Sequence, residues 1–123
     1  MSDAYVTFDK RAFPRYPAHI SVNFLVMKEH KEVRDIREMV QQKKMVHTVD
    51  ASLGGMKFEA NQDLAAGDIL TLKFSIPTKS LPISAFAEVI WASTRGVGVH
   101  FLTIKEDDLK SLDVFLQSIP KGS

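Results

Sequence analysis

Cysteine is absent from this 123-residue chain, which excludes disulfides and thiol chemistry and makes a reducing cytoplasm the expected setting. Long apolar runs are also missing. Nothing approaches the roughly eighteen consecutive apolar residues of a membrane helix, and residues 1–19 lack the apolar stretch of a signal peptide. Charge of one sign is scarce: 16 Lys and Arg stand against 15 Asp and Glu, a net of +1. That balance argues against a general binder of DNA or RNA, so any anion site has to come from local clustering. Four histidines, His19, His30, His47 and His100, lie far apart without metal-ligand spacing. No Walker loop, dinucleotide fingerprint or nucleophile elbow occurs, and no histidine is tied by sequence to Ser52 and Asp50. The sequence makes no case for an enzyme, and neither a cofactor nor a metal is expected.

A composition of 45% hydrophobic and 25% charged residues is that of an ordinary globular domain. One domain over residues 1–123 is expected, large enough for a real core. Residues 1–17 read as a flexible arm carrying two arginines, and the core as about 8–119. Beyond Pro17 apolar and polar residues alternate. Ile20, Val22, Phe24 and Val26 face one way, and His19, Ser21 and Asn23 the other, which is a half-buried strand. The same period recurs over 45–49, 56–60, 68–76, 83–91 and 97–102, with turn clusters between. Trp91 shares the apolar face of Ile83, Ala85, Ala87 and Val89, a core position more readily than a stacking platform.

Residues 28–44 differ. They are dense in charge, lack Gly and Pro, and space Val33, Ile36 and Val40 as a helix does. A helix over about 29–43, inserted between two strands, is predicted; a long solvated hairpin is the competing reading. Near the end, Thr103 to Glu106 reads as a capping box, and Leu109, Leu112, Phe115, Leu116 and Ile119 form one helical stripe. Five or six short strands joined by turns, closed by a helix, suggest a mainly β fold built as a small antiparallel barrel.

Two stretches carry chemistry. Asp50-Ala51-Ser52-Leu53-Gly54-Gly55 lies between two of the strands, and alone it is only a hairpin corner. Lys10-Arg11-Ala12-Phe13-Pro14-Arg15 sets two guanidiniums four residues apart, with Pro14 barring a helix interior. Guanidinium forks suit phosphate and the N7/O6 edge of guanine. A carboxylate suits the opposite guanine edge, which carries N–H donors. Together the two stretches point to a guanine nucleotide.

Arg11-x-x-x-Arg15 followed by Asp50-x-Ser52-x-x-Gly55 resembles the paired signature of the PilZ domain, the bacterial receptor for cyclic di-GMP. Val89-Ile90-Trp91 and residues 96–101 resemble the late strands of that family, so the resemblance covers roughly 8–119. It implies a six-stranded antiparallel barrel with a C-terminal helix, and a ligand bound folded with its guanines stacked. It assigns Arg11 and Arg15 to phosphate and guanine, and Asp50 and Ser52 to a base. Gly55 would keep the corner open, with Gly54 and Lys10 as further contacts. In this family a cation at the position of Lys10 accompanies binding of an intercalated ligand pair, although lysine lacks the planar fork of arginine.

Two functions follow. One is a cytoplasmic receptor that rearranges on binding the second messenger and signals to an unidentified protein, as a monomer or ligand-linked dimer. The other is a PilZ-like protein–protein adaptor that needs no nucleotide. Motility, biofilm and polysaccharide control are all compatible outputs.

Overall fold

The computed structural model describes residues 5–7, 13–27 and 44–120. The alternating stretches become strands: β1 Tyr5–Thr7, β2 Ser21–Met27, β3 Lys44–Ala51, β4 Gly55–Phe58, β5 Ile69–Phe74, β6 Ile83–Ser93 and β7 Gly96–Lys105. A helix, α1, follows at Glu106–Gln117. The strands run antiparallel in the order β7-β4-β3-β2-β5-β6, and β6 pairs back onto β7. This closes a six-stranded barrel, as expected. Closure removes the open edges that a flat sheet of this size would leave to water. Outside the ring, β1 extends the edge of β7 beyond β4, with Tyr5 opposite Lys105 and Thr7 opposite Thr103. That backbone pairing ties residues 5–7, in the supposed flexible arm, to the barrel.

Burial follows the period of two. Val22 and Phe24 of β2, Leu70, Leu72 and Phe74 of β5, and Ile83, Ala85, Ala87 and Val89 of β6 all point inward. The helical stripe completes this core: Leu112 and Leu116 are buried in it, and Leu109, Phe115 and Ile119 pack against it. Asp108, itself buried, pairs with Lys79 at 2.5 Å, and Thr78 Oγ donates to the Ser111 carbonyl at 2.8 Å. These contacts fasten the turn before β6 to the helix.

The capping box is not formed. Thr103 belongs to β7, opposite Phe86 and Thr7, and the N-cap residue is Lys105, with no side-chain cap bond. Strand pairing holds Thr103 in extended backbone, so its hydroxyl cannot turn back to the helix. Glu106, Asp107 and Asp108 instead place negative charge at the N-terminal turn, where the helix dipole favours it. The predicted inserted helix at about 29–43 lies outside the described residues. No described helix is long and apolar enough to cross a membrane.

Thr48 fixes the approach to the barrel rim. Its buried Oγ accepts the Ile20 N–H at 2.8 Å and donates to the Ala18 carbonyl. Its own N–H donates to the Ile20 carbonyl at 2.9 Å. Thr48→Val keeps the shape and strands one buried donor and one acceptor. It should lower stability by about 1–3 kcal/mol, read as a shifted denaturant midpoint at unchanged slope. An unchanged midpoint would mean that the 18–20 segment is not held there.

Candidate functional site

Asp50 owes its direction to one extra residue. In β3, Thr48 lies opposite Phe58, but Asp50 lies opposite Lys57, so β3 spends two steps where β4 spends one. Such a bulge re-aims the following side chains. Thr48 and Ala51 are both buried, Val49 is exposed, and Asp50 emerges beside Lys57 instead of entering the core.

The arginine segment is drawn across this bulge. Tyr16 and Ala51 exchange both backbone bonds, at 2.9 and 3.0 Å. Phe13 rests on Gly54 so closely that a Cβ there would lie 2.7 Å from its ring. Between these two anchors, Arg15 Nη1 donates to Asp50 Oδ1 at 2.6 Å, over a separation of 35 residues. The two halves of the sequence signature therefore meet through Arg15 and Asp50. Lys10 and Arg11 lie outside the described residues. Residues 13–17 are tied to the barrel, which narrows the expectation of a flexible arm.

At the corner, Ser52 turns inward. It is 4% exposed, its Oγ accepts the Gly54 N–H at 3.1 Å, and its N–H donates to the Gly55 carbonyl at 2.9 Å. The hydroxyl shapes the bend. Gly55 opens β4, and a Cβ on it would lie 2.1 Å from the Val99 carbonyl oxygen, so its absent side chain is needed for strand packing. The Gly54 carbonyl accepts the Phe101 N–H at 2.8 Å, joining the corner to β7.

Trp91 is a correction. A second bulge separates Val89, opposite Val99, from Trp91, opposite Gly98. The extra step turns the indole out of the core, and Trp91 is 40% exposed. Its ring covers Gly98, where a Cβ would lie 2.1 Å from Nε1, and the Lys57 ammonium stands 5.8 Å from the ring centroid. Because directly opposed residues share a face, Asp50, Lys57, Gly98 and Trp91 form one outward row across β3, β4, β7 and β6. Three strand spacings make that row about 14 Å long. It offers an acid, a cation and an aromatic face. Unbroken alternation hides Trp91 as a site candidate, and Lys57 stands on the outward face of its strand with no motif to mark it. Only the interleaving of Phe13 and Tyr16 with the arginines hints at the anchors.

Among the described residues no group of three or more His, Cys, Asp or Glu is placed to hold a metal ion. The arrangement suits recognition of an anion with a hydrogen-bonding base. Comparison with known proteins places the chain in a family. No curated protein matches the chain in sequence. A crystal structure of the PilZ domain of CeSA from a cellulose-synthesizing bacterium superposes with a TM-score of 0.60 at 14% identity, over 85% of this chain and 96% of that one. The Bacillus subtilis inhibitor of motility, MotI/DgrA, superposes with a TM-score of 0.61 at 17% identity, over 90% of this chain. This chain covers 50% of that protein's length. At these identities the likeness is one of fold. The sequence profile described as the PilZ domain matches residues 9–118, nearly the full length. The chain thus belongs to the PilZ domain family, a family of cyclic di-GMP receptors whose domains bind rather than catalyse.

Proposed function

We propose that this protein is a cyclic di-GMP receptor that changes conformation on binding and passes the signal to a partner protein in the cytosol. The observation that carries the reading is the meeting of Arg15 with Asp50, 2.6 Å apart on the barrel's outer surface. Both groups can be reached from solvent, with the arginine side chain 54% and the aspartate 24% exposed. In this reading Arg11 and Arg15 hold phosphate and a guanine face, and the Asp50 carboxylate accepts from the N–H edge of a base. Ser52 and Gly55 support the site by setting the corner, with Gly54 and Lys10 at its margin. Residues 13–17 are the moving part. Backbone bonds from Tyr16 to Ala51, the Phe13 ring on Gly54 and the Arg15–Asp50 ion pair hold this segment on the outside of the barrel, where ligand that takes up Arg15 and Asp50 would reseat it.

Calorimetric titration of the purified protein with cyclic di-GMP tests this directly. Binding at micromolar strength or tighter is expected, and the inflection reports whether one ligand or a pair is taken up. A flat titration defeats the receptor reading and leaves the nucleotide-independent adaptor. That alternative would be favoured by a partner that binds Arg15→Ala protein as well as wild type.

A further inference from the structure

We propose that the Arg15–Asp50 ion pair is a selectivity gate, in which Asp50 withholds the arginine from anions that cannot also satisfy the carboxylate. This inference deepens the receptor reading and rests on it. In the structure Arg15 Nη1 is engaged by Asp50 Oδ1 at 2.6 Å. The pair is not incidental: the bulge between Thr48 and Asp50 aims the carboxylate outward, and Phe13 and Tyr16 seat the residues on either side of Arg15 against Gly54 and Ala51. A phosphate approaching Arg15 must compete with the carboxylate for the Nη1 donor and stand beside it, anion against anion. Plain phosphates and pyrophosphates offer Asp50 nothing in return.

A guanine does. Its Watson–Crick edge carries N–H donors, so the carboxylate released from Arg15 exchanges a guanidinium for a base while the arginine takes up phosphate or stacks. Adenine presents an acceptor at ring N1, which faces the carboxylate with like polarity. Asp50 thereby acts as a specificity-determining residue through Arg15 as well as by contact. The two roles separate in one variant. Asp50→Asn keeps size and shape, removes the charge, and leaves Arg15 only a neutral acceptor.

The test uses the full chain and three probes: inorganic pyrophosphate as charge alone, cyclic di-AMP as the base-swapped ligand, and cyclic di-GMP. For Asp50→Asn, pyrophosphate and cyclic di-AMP should bind about three- to tenfold tighter than to wild type. Cyclic di-GMP should bind about tenfold weaker or more, from loss of a charge-assisted bond. The gain for pyrophosphate should vanish in Arg15→Ala/Asp50→Asn. Equal pyrophosphate affinity in wild type and Asp50→Asn overturns the gate, as does a gain that survives loss of Arg15. Asp50→Ser provides the same reading should the asparagine protein fold poorly. Wild type that ignores cyclic di-GMP, while Asp50→Asn still gains pyrophosphate, sinks the receptor reading and leaves the gate standing.

Discussion

Replacing Arg15 with alanine is expected to weaken cyclic di-GMP binding by about tenfold to several hundredfold. That range corresponds to about 1.5–3.5 kcal/mol, the roughly 1.5–3 kcal/mol of a guanidinium's charge-assisted hydrogen bonds with about 0.5 kcal/mol of stacking on a base at the upper end. Little of that loss should appear as instability. The Arg15 side chain is 54% exposed, and exposed ion pairs contribute at most about 1 kcal/mol. The backbone bonds of the adjacent Tyr16 to Ala51 do not involve the side chain that is removed. Paired titrations and thermal melts of wild type and Arg15→Ala separate the two quantities. Equal affinities would remove Arg15 from the site.

Gly55→Ala is expected to fail in the opposite way, by losing the fold before any ligand is added. The new methyl would stand 2.1 Å from the Val99 carbonyl oxygen and 3.1 Å from the His100 Cα, and both obstacles are backbone. No side chain can rotate aside. Relief requires β4 and β7 to part at the pair Gly55–His100, next to the bond from the Phe101 N–H to the Gly54 carbonyl. Overpacking of this kind costs about 3 kcal/mol or more, a large share of a small domain's stability. Chemical denaturation without nucleotide reads it directly. A midpoint equal to wild type would return Gly55 to the role read from sequence, an open corner for the ligand. Gly54→Ala makes an informative contrast, because there the obstacle is the Phe13 ring, which can move.

Much of the fold is legible from residue types. Alternation over β2, β5 and most of β6 is regular, and each predicted inward residue from Ile83 to Val89 is buried. The stripe of α1 was equally plain, because its apolar spacing fits no strand. What escapes is any change of phase. Val89-Ile90-Trp91 is apolar throughout, so nothing local shows that one residue is surplus and that the indole turns outward. Val46, Thr48 and Asp50 look like one face until the bulge after Thr48 separates them. A bulge is decided by the partner strand, and the partner is not written in the window being read. The capping box misled for a related reason: its local hydrogen bonds lost to pairing with β1 and β6.

The candidate site is legible as residue types and less so as an arrangement. Asp50 and Arg15 follow from the chemistry of guanine and phosphate, and the fold brings them into contact. Ser52 and Gly55 belong to the same signature, yet both serve the corner itself. Residue types announce which groups suit a ligand. They do not reveal which of those groups the backbone has already engaged.

The surplus residue in β6 also has an optical consequence. This protein holds a single tryptophan, and its indole lies on the outer wall, leaning on Gly98 beneath the Lys57 ammonium. Its emission therefore watches the place where β4, β6 and β7 stand in register, and not the interior. Any event that separates those strands changes the light, so the molecule carries its own dye where three of its strands meet.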